Sequence, residues 1–272
     1  MNNLGNLSVT TVLLVMNVVV FMVGNLVEKT ININEHFALF SVFSSNFQPY
    51  QFLTYMFLHA NMFHIFSNMI GLWSFGRILE QTLGPKHFLI LYFVCGVGAA
   101  GINMCVSYWE VRKLEEAAIA YKKNPNYDDF LRFIRKQAPE YNNPAVKTIS
   151  ERYEESMSNP EEYKKYQRTS SEAVTIITDR KRDFSPSLVG ASGAVMGVIL
   201  AFALLYPNLE MMLLFPPMPV KAKYMIFFYI GIEIYAIYAN QIDDNVAHFA
   251  HIGGMIFALI LIKLVWKMKV IQ

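Results

Sequence analysis

Val9 to Leu26 is an apolar run without a single charged residue. A run of this kind, close to the ~20 residues a helix needs to cross a bilayer, tightly limits what the chain can fold into. Further stretches of the same character follow: one within Gln51–Leu79, one from His87 or Phe88 to about Val106, and one from Ser192 to Tyr206. Tyr224–Asn240 and Asn245–Val265 complete the set. Of the 272 residues, 54% are hydrophobic and only 16% charged, where a soluble domain carries about a quarter. Most of the charge is confined to Trp109–Pro186. Segregation of this kind predicts an all-α membrane protein of six transmembrane helices with a long extramembrane insert between helices 3 and 4. The boundaries are 1–108 for the first three helices, 109–186 for the hydrophilic, partly helical insert, and 187–272 for the last three. The first run has no basic leader or small-residue cleavage site, so it reads as a retained span. No basic stripe interleaved with aromatics appears outside the insert, which excludes a nucleic-acid partner. Cys95 and Cys105 share one apolar segment, so a disulfide between them is geometrically implausible.

The loop Glu28–Tyr50 mixes Phe37, Leu39, Phe40, Val42 and Phe43 with polar residues. Two readings stand: a segment in the interface plane, or a loop packed on the bundle. Within the insert, Pro125, Pro139, Pro144 and Pro160 mark short pieces, and Tyr127–Gln137 has the pattern of an amphipathic helix.

Polar groups inside membrane segments are expensive and face the protein interior. His59, His64 and Asn68 are such groups, and His64 and Asn68 share a helix face at four-residue spacing. They suit either a structural hydrogen-bonded pair or two donors aimed at a developing negative charge. Leu188-Val-Gly-Ala-Ser-Gly-Ala-Val-Met-Gly197 places Ser192 between Gly190 and Gly193, at a sharp turn into a helix. Gly193 and Gly197 also carry the spacing of close helix contact. His251 opens the last span and is followed by Gly254. A serine hydroxyl needs a neighbouring base, usually histidine, to become a nucleophile. Ser192 and His251 at similar depth, with small residues below each, form a candidate acyl-transfer pair. His64, Asn68 and the Ser192 backbone N–H would then receive the oxyanion. His248 competes with His251 one turn earlier; His251 is preferred because Gly254 follows it. Glu233 is the one acid of the fifth span. Asp243 and Asp244 read as helix-entrance charges.

Gly190-Ala-Ser-Gly193, Ala250-His-Ile-Gly-Gly254 and His64-Ile-Phe-Ser-Asn68 resemble the Gly-x-Ser-Gly, Ala-His-x-x-Gly and His-x-x-x-Asn motifs of rhomboid intramembrane serine proteases. The resemblance covers about Gln51–Val106 and Leu188–Lys263. It implies a Ser192–His251 catalytic dyad, His64 and Asn68 in the oxyanion site, and packing by Gly190, Gly193, Gly197 and Gly254. It further implies single-pass membrane proteins as substrates, cut in or near the bilayer, with no metal or cofactor required. Three features depart from the pattern: Met196 where an aromatic is common, no Trp-Arg pair in the first loop, and the long insert. The alternative class is a rhomboid-like protein that binds membrane clients without cutting them. Basic residues in short loops (Arg77, Lys86, Lys221, Lys223, Lys263, Lys267, Lys269) fall on one side. That predicts both termini cytoplasmic and the active site open to the outer face, while the plain architecture looks like that of a bacterial inner (plasma) membrane protein.

Overall fold

In hydrocarbon a backbone N–H or C=O finds no water, so an apolar segment satisfies its own hydrogen bonds by becoming helical. The computed structural model describes residues 8–27, 31–138, 143–184, 188–212, 218–239 and 248–271. The helices are α1 (Val9–Val27), α2 (Ile33–Phe37), α3 (Gln51–Thr54), α4 (Met62–Leu83), α5 (Pro85–Lys123) and α6 (Tyr127–Gln137). They continue as α7 (Pro144–Glu155), α8 (Pro160–Phe184), α9 (Ser192–Leu205), α10 (Ala222–Ala239) and α11 (His248–Leu259), the last extended by a π-type segment, Ile260–Val265. A small antiparallel ribbon, β1 (Glu210–Met212) on β2 (Pro219–Lys221), joins α9 to α10. Four helical stretches, α1, α5, α10 and α11 with its extension, are long and apolar enough to cross a membrane. Apart from that short ribbon the described fold is helical, and the protein is an integral membrane protein.

The centre is α9. Apolar on all sides, it buries Gly193–Ile199, Ala201–Ala203 and Leu205, as a helix surrounded by others must. Helices α4, α5 and α11 enclose it, and α1 lies outside against α4. The outer helices show their lipid faces: Val15, Val19, Met22 and Leu26 on α1, and Phe227, Phe228, Tyr235 and Tyr238 on α10, are all exposed. Apolar surface this extensive suits a bilayer, not water.

Helix α1 is tied to α4 by a carboxylate. Glu80 Oε1 accepts from the Val9 N–H (2.7 Å), while Oε2 accepts from the Thr10 N–H (2.9 Å) and Thr10 hydroxyl (2.7 Å). A negative charge on the free N–H groups of a helix start meets both their hydrogen-bonding need and the helix dipole.

The third apolar helix does not end near Val106 as the sequence suggested. It runs unbroken through the expected boundary at 108 as far as Lys123. Residues 109–123 contain no Gly or Pro and are rich in Ala, Glu and Lys, so nothing stops the helix before Asn124-Pro125. Its extension joins α6, α7 and α8 in a separate core of Leu114, Phe130, Phe133, Ile134, Tyr153, Val174 and Ile177. Asn126, Asn143 and Asn159 each place a side-chain oxygen on an N–H of the helix that follows. Pro144 and Pro160 are the first residues of α7 and α8, so these two prolines both divide the insert and start its helices. Burial pushes the Tyr153 phenol above its usual range. Cys95 and Cys105 both stand on α5 and are free.

The loop after α1 packs on the bundle through buried Ala38, Leu39 and Phe40, while Phe37 and Val42 stay exposed. Buried Gln51 organises it: its amide donates to the His36 and Asn46 carbonyls and its carbonyl accepts from the Gln48 and Phe40 N–H groups.

Removing the carboxylate that caps α1 exposes the test of this tie. Glu80→Ala is expected to cost about 1–2 kcal/mol, read as a lower unfolding midpoint in detergent, with Glu80→Gln intermediate.

Candidate functional site

Ser192 is the first residue of α9, and the backbone leading into it is held from two sides. Leu188 and Leu39 exchange N–H···O bonds of 2.9 and 3.0 Å, forming an isolated antiparallel bridge. The Gly190 N–H then donates to the Tyr55 carbonyl at 2.9 Å. Gly190 has φ +120°, a conformation that a side chain makes costly. A Cβ there would also lie 2.6 Å from His64 Nε2 and 3.7 Å from Ser192 Oγ. The glycine thus keeps open the space that the imidazole and the hydroxyl both border.

His64 and Asn68 come from the first turns of α4, which Asn61 caps by accepting from the His64 N–H at 2.9 Å. His64 Nδ1 accepts from the Ala60 N–H (3.4 Å), so the proton of a neutral ring sits on Nε2, the nitrogen facing Gly190. Asn68 is buried, and its side-chain N–H₂ has no hydrogen-bond partner. An unmatched buried donor is costly and rare. The His59 ring precedes α4, packs edge-on against His64 at 5.1 Å between centroids, and has no well-formed hydrogen bond to either nitrogen.

His251 reaches the site through backbone contact between α9 and α11. A Cβ on Gly254 would fall on the Gly193 carbonyl, and one on Gly193 would lie 3.3 Å from the Ala250 carbonyl. Gly197 meets Cys95 of α5 and the Gly254 carbonyl in the same way. Only helices lacking side chains along that line can approach so closely. Ser192 and His251 each stand next to one of these contact residues and are both partly buried. Ser192 Oγ makes no hydrogen bond among the described residues; such contacts often tighten only when a substrate is bound. Met196 is buried in the core.

The site holds one group that the sequence reading left without a role. Glu233, on α10, is 4% exposed. It places Oε1 2.9 Å from His251 Nδ1 and Oε2 2.6 Å from His248 Nδ1. The signal was present: an ionisable residue in a membrane helix marks function by default. Asp243 and Asp244 lie outside the described residues. The donor atoms of Glu233, His248 and His251 fall within 4.8 Å of one another.

Comparison with known proteins gives a consistent picture. The rhomboid domain family matches residues 46–110 and 168–268, more than half of the chain, and leaves the middle of the insert unmatched. Rhomboid-like protease 3 of Toxoplasma gondii is 32% identical over 65 residues, 24% of this chain and 25% of that protein. An uncharacterized mitochondrial rhomboid protein of Schizosaccharomyces pombe is 27% identical over 219 residues, 79% of this chain and 50% of that protein. Inactive RHOMBOID-like protein 8 of Arabidopsis thaliana is 33% identical over 54 residues, 20% of this chain and 15% of that protein. The chain therefore spans half or less of the length of these relatives. No solved structure matches it.

The backbone contact predicts an asymmetry between glycines. Gly254→Ala should lower the thermal midpoint in detergent markedly, because the new methyl strikes a carbonyl. Gly231→Ala on α10, where a Cβ meets nothing within 4 Å, should be neutral or stabilising by up to about 1 kcal/mol.

Proposed function

This chain belongs to the rhomboid family, and from that premise we propose that it is an intramembrane serine protease. In this reading it hydrolyses peptide bonds in or near the transmembrane segment of single-pass membrane proteins. The observation that carries the reading is the convergence of Ser192, His64 Nε2 and the His251 end of α11 around Gly190 and Gly193. In this reading Ser192 serves as nucleophile, His64 as oxyanion donor and His251 as base, each from a different helix.

The chemistry follows from those roles. As Ser192 Oγ bonds to the scissile carbonyl carbon, its proton passes to His251 Nε2 and the carbonyl π pair moves onto oxygen. The resulting oxyanion receives hydrogen bonds from His64 Nε2–H, the Asn68 side-chain N–H₂ and the Ser192 backbone N–H. Collapse breaks the C–N bond, and the Nε2 proton leaves on the amine. Water then repeats the sequence on the acyl-enzyme, returning the proton to Ser192. The buried, unmatched Asn68 donor supports this assignment because an oxyanion would satisfy it.

Six helices, α1, α4, α5, α9, α10 and α11, are assigned as spans, with α9 short because it starts at the reacting serine. Ser192 opens at the end of the bundle that carries the insert. Lys86, Lys221, Lys223, Lys267 and Lys269 lie at the other end, as do the described chain ends. Positive charge keeps that end in the cytoplasm, here proposed to be that of a bacterial cell, so the site faces outward. Short relatives' matches include an inactive member, and the non-cutting reading is kept as the alternative: a client-binding protein. Presence of both Ser192 and His251 favours the enzyme.

Labelling with a fluorophosphonate probe separates the two. The native protein should label and should cleave a single-pass test substrate in proteoliposomes, while Ser192→Ala and His251→Ala should do neither. His64→Ala or Asn68→Ala should lower kcat by about 10²–10³-fold, the usual effect of losing one oxyanion donor. A native protein that neither labels nor cleaves points to client binding. Reporter fusions at the loop after α1 and at the β1–β2 ribbon should report opposite sides of the membrane.

A further inference from the structure

We infer that Glu233 is the positioning residue of this site, completing a Ser192–His251–Glu233 relay in which the carboxylate sets the tautomer and orientation of His251. The inference rests on the proposed serine-protease reading and adds to it a group from a fourth helix, α10.

Among the described residues of α10, only Ala222, Ile226 and Glu233 are buried, and the remaining face is apolar and exposed. A carboxylate on the exposed face would be surrounded by lipid; on the inner face it is expensive unless fully hydrogen-bonded. Both oxygens are in fact used, one by each histidine. Because α10 and α11 run antiparallel, the acid in the later part of α10 meets the first turn of α11 at equal depth. His248 and His251 are three residues apart, so one helix face presents both rings to one carboxylate.

The tautomer follows from the contact. A carboxylate only accepts, so His251 Nδ1 carries the proton and donates it at 2.9 Å. Nε2 of the neutral ring is then left with a free lone pair, the form a base needs to take the Ser192 proton. When Nε2 receives that proton, the positive imidazolium faces a negative charge already in place, without reorganisation. His248 holds the other oxygen at 2.6 Å and so fixes the carboxylate plane.

The three donor atoms are also near enough together to hold a divalent cation. However, each carboxylate oxygen already has a histidine within hydrogen-bond distance, so the arrangement is complete without an ion. The cation reading is therefore an outcome of the test.

The test uses the full-length protein in detergent, with the fluorophosphonate labelling rate and histidine ¹⁵N NMR read on the same samples. In the native protein the His251 signals should show a protonated Nδ1 and an unprotonated Nε2. Glu233→Gln keeps the shape and removes the charge. It should slow labelling by up to about 10⁴-fold, the loss seen when a serine protease loses the tautomer of its base, and should shift His251 toward the Nε2–H form. Glu233→Asp should recover part of the rate and the native tautomer. A purely structural role predicts a lower thermal midpoint with the native tautomer kept, and that result would overturn the inference. So would Glu233→Gln labelling within threefold of native, or labelling abolished by a chelator and restored by Zn²⁺. If the native protein does not label at all, the protease reading fails, while the NMR of native and Glu233→Gln still decides whether the acid sets the His251 tautomer.

Discussion

The contact between the backbones of α9 and α11 underlies the whole arrangement. Gly254 lies so close to the Gly193 carbonyl that no side chain fits between them. In lipid there is no hydrophobic force to drive helices together, so association depends on close van der Waals packing of small residues. That packing sets the depth of Ser192 against that of His251, and Gly197 against Cys95 extends it to α5. A buried, nearly featureless helix thereby becomes the rigid base on which one hydroxyl is mounted.

Around this centre, polar groups serve two distinct ends. Some are structural: Glu80 caps α1 and Gln51 ties four backbone groups of the first loop together. Others stand unmatched or in short contacts with histidine, as Asn68 and Glu233 do. Burying either kind in a membrane protein is costly. The structural ones are satisfied within the fold. The Asn68 donor is left without a partner in the fold, and the Glu233 carboxylate faces the rings of His248 and His251.

The insert adds a second layer on the same end of the molecule. Its core is separate from the bundle, yet α5 passes through both as one helix. At its base the Ser44 hydroxyl donates to the Asp183 carbonyl at 2.7 Å, and the Phe43 and Tyr108 rings stack at 5.1 Å. The loop after α1 is therefore clasped between the insert and the segment entering Ser192. The insert and Ser192 thus stand at the same end of the bundle, joined through the loop after α1.

The sequence determined the solvent of this protein and the chemistry of its motifs. Uncharged runs such as Val9–Leu26 require membrane helices, because an unpaired backbone is intolerable in lipid. The spacing of His64 and Asn68 and the residues flanking Ser192 and His251 made a candidate site readable, because helical periodicity and small-residue spacing are local properties. The run of helix formers past Val106 was equally local, but the change from apolar to charged residues obscured it: composition marks where the membrane ends, not where a helix ends. What only the tertiary structure decided was pairing across helices. Glu233 was visible as the one acid of its span, yet which ring it meets depends on the relative rotation and depth of α10 and α11. Those are set by packing between segments far apart in the chain, which no local pattern encodes.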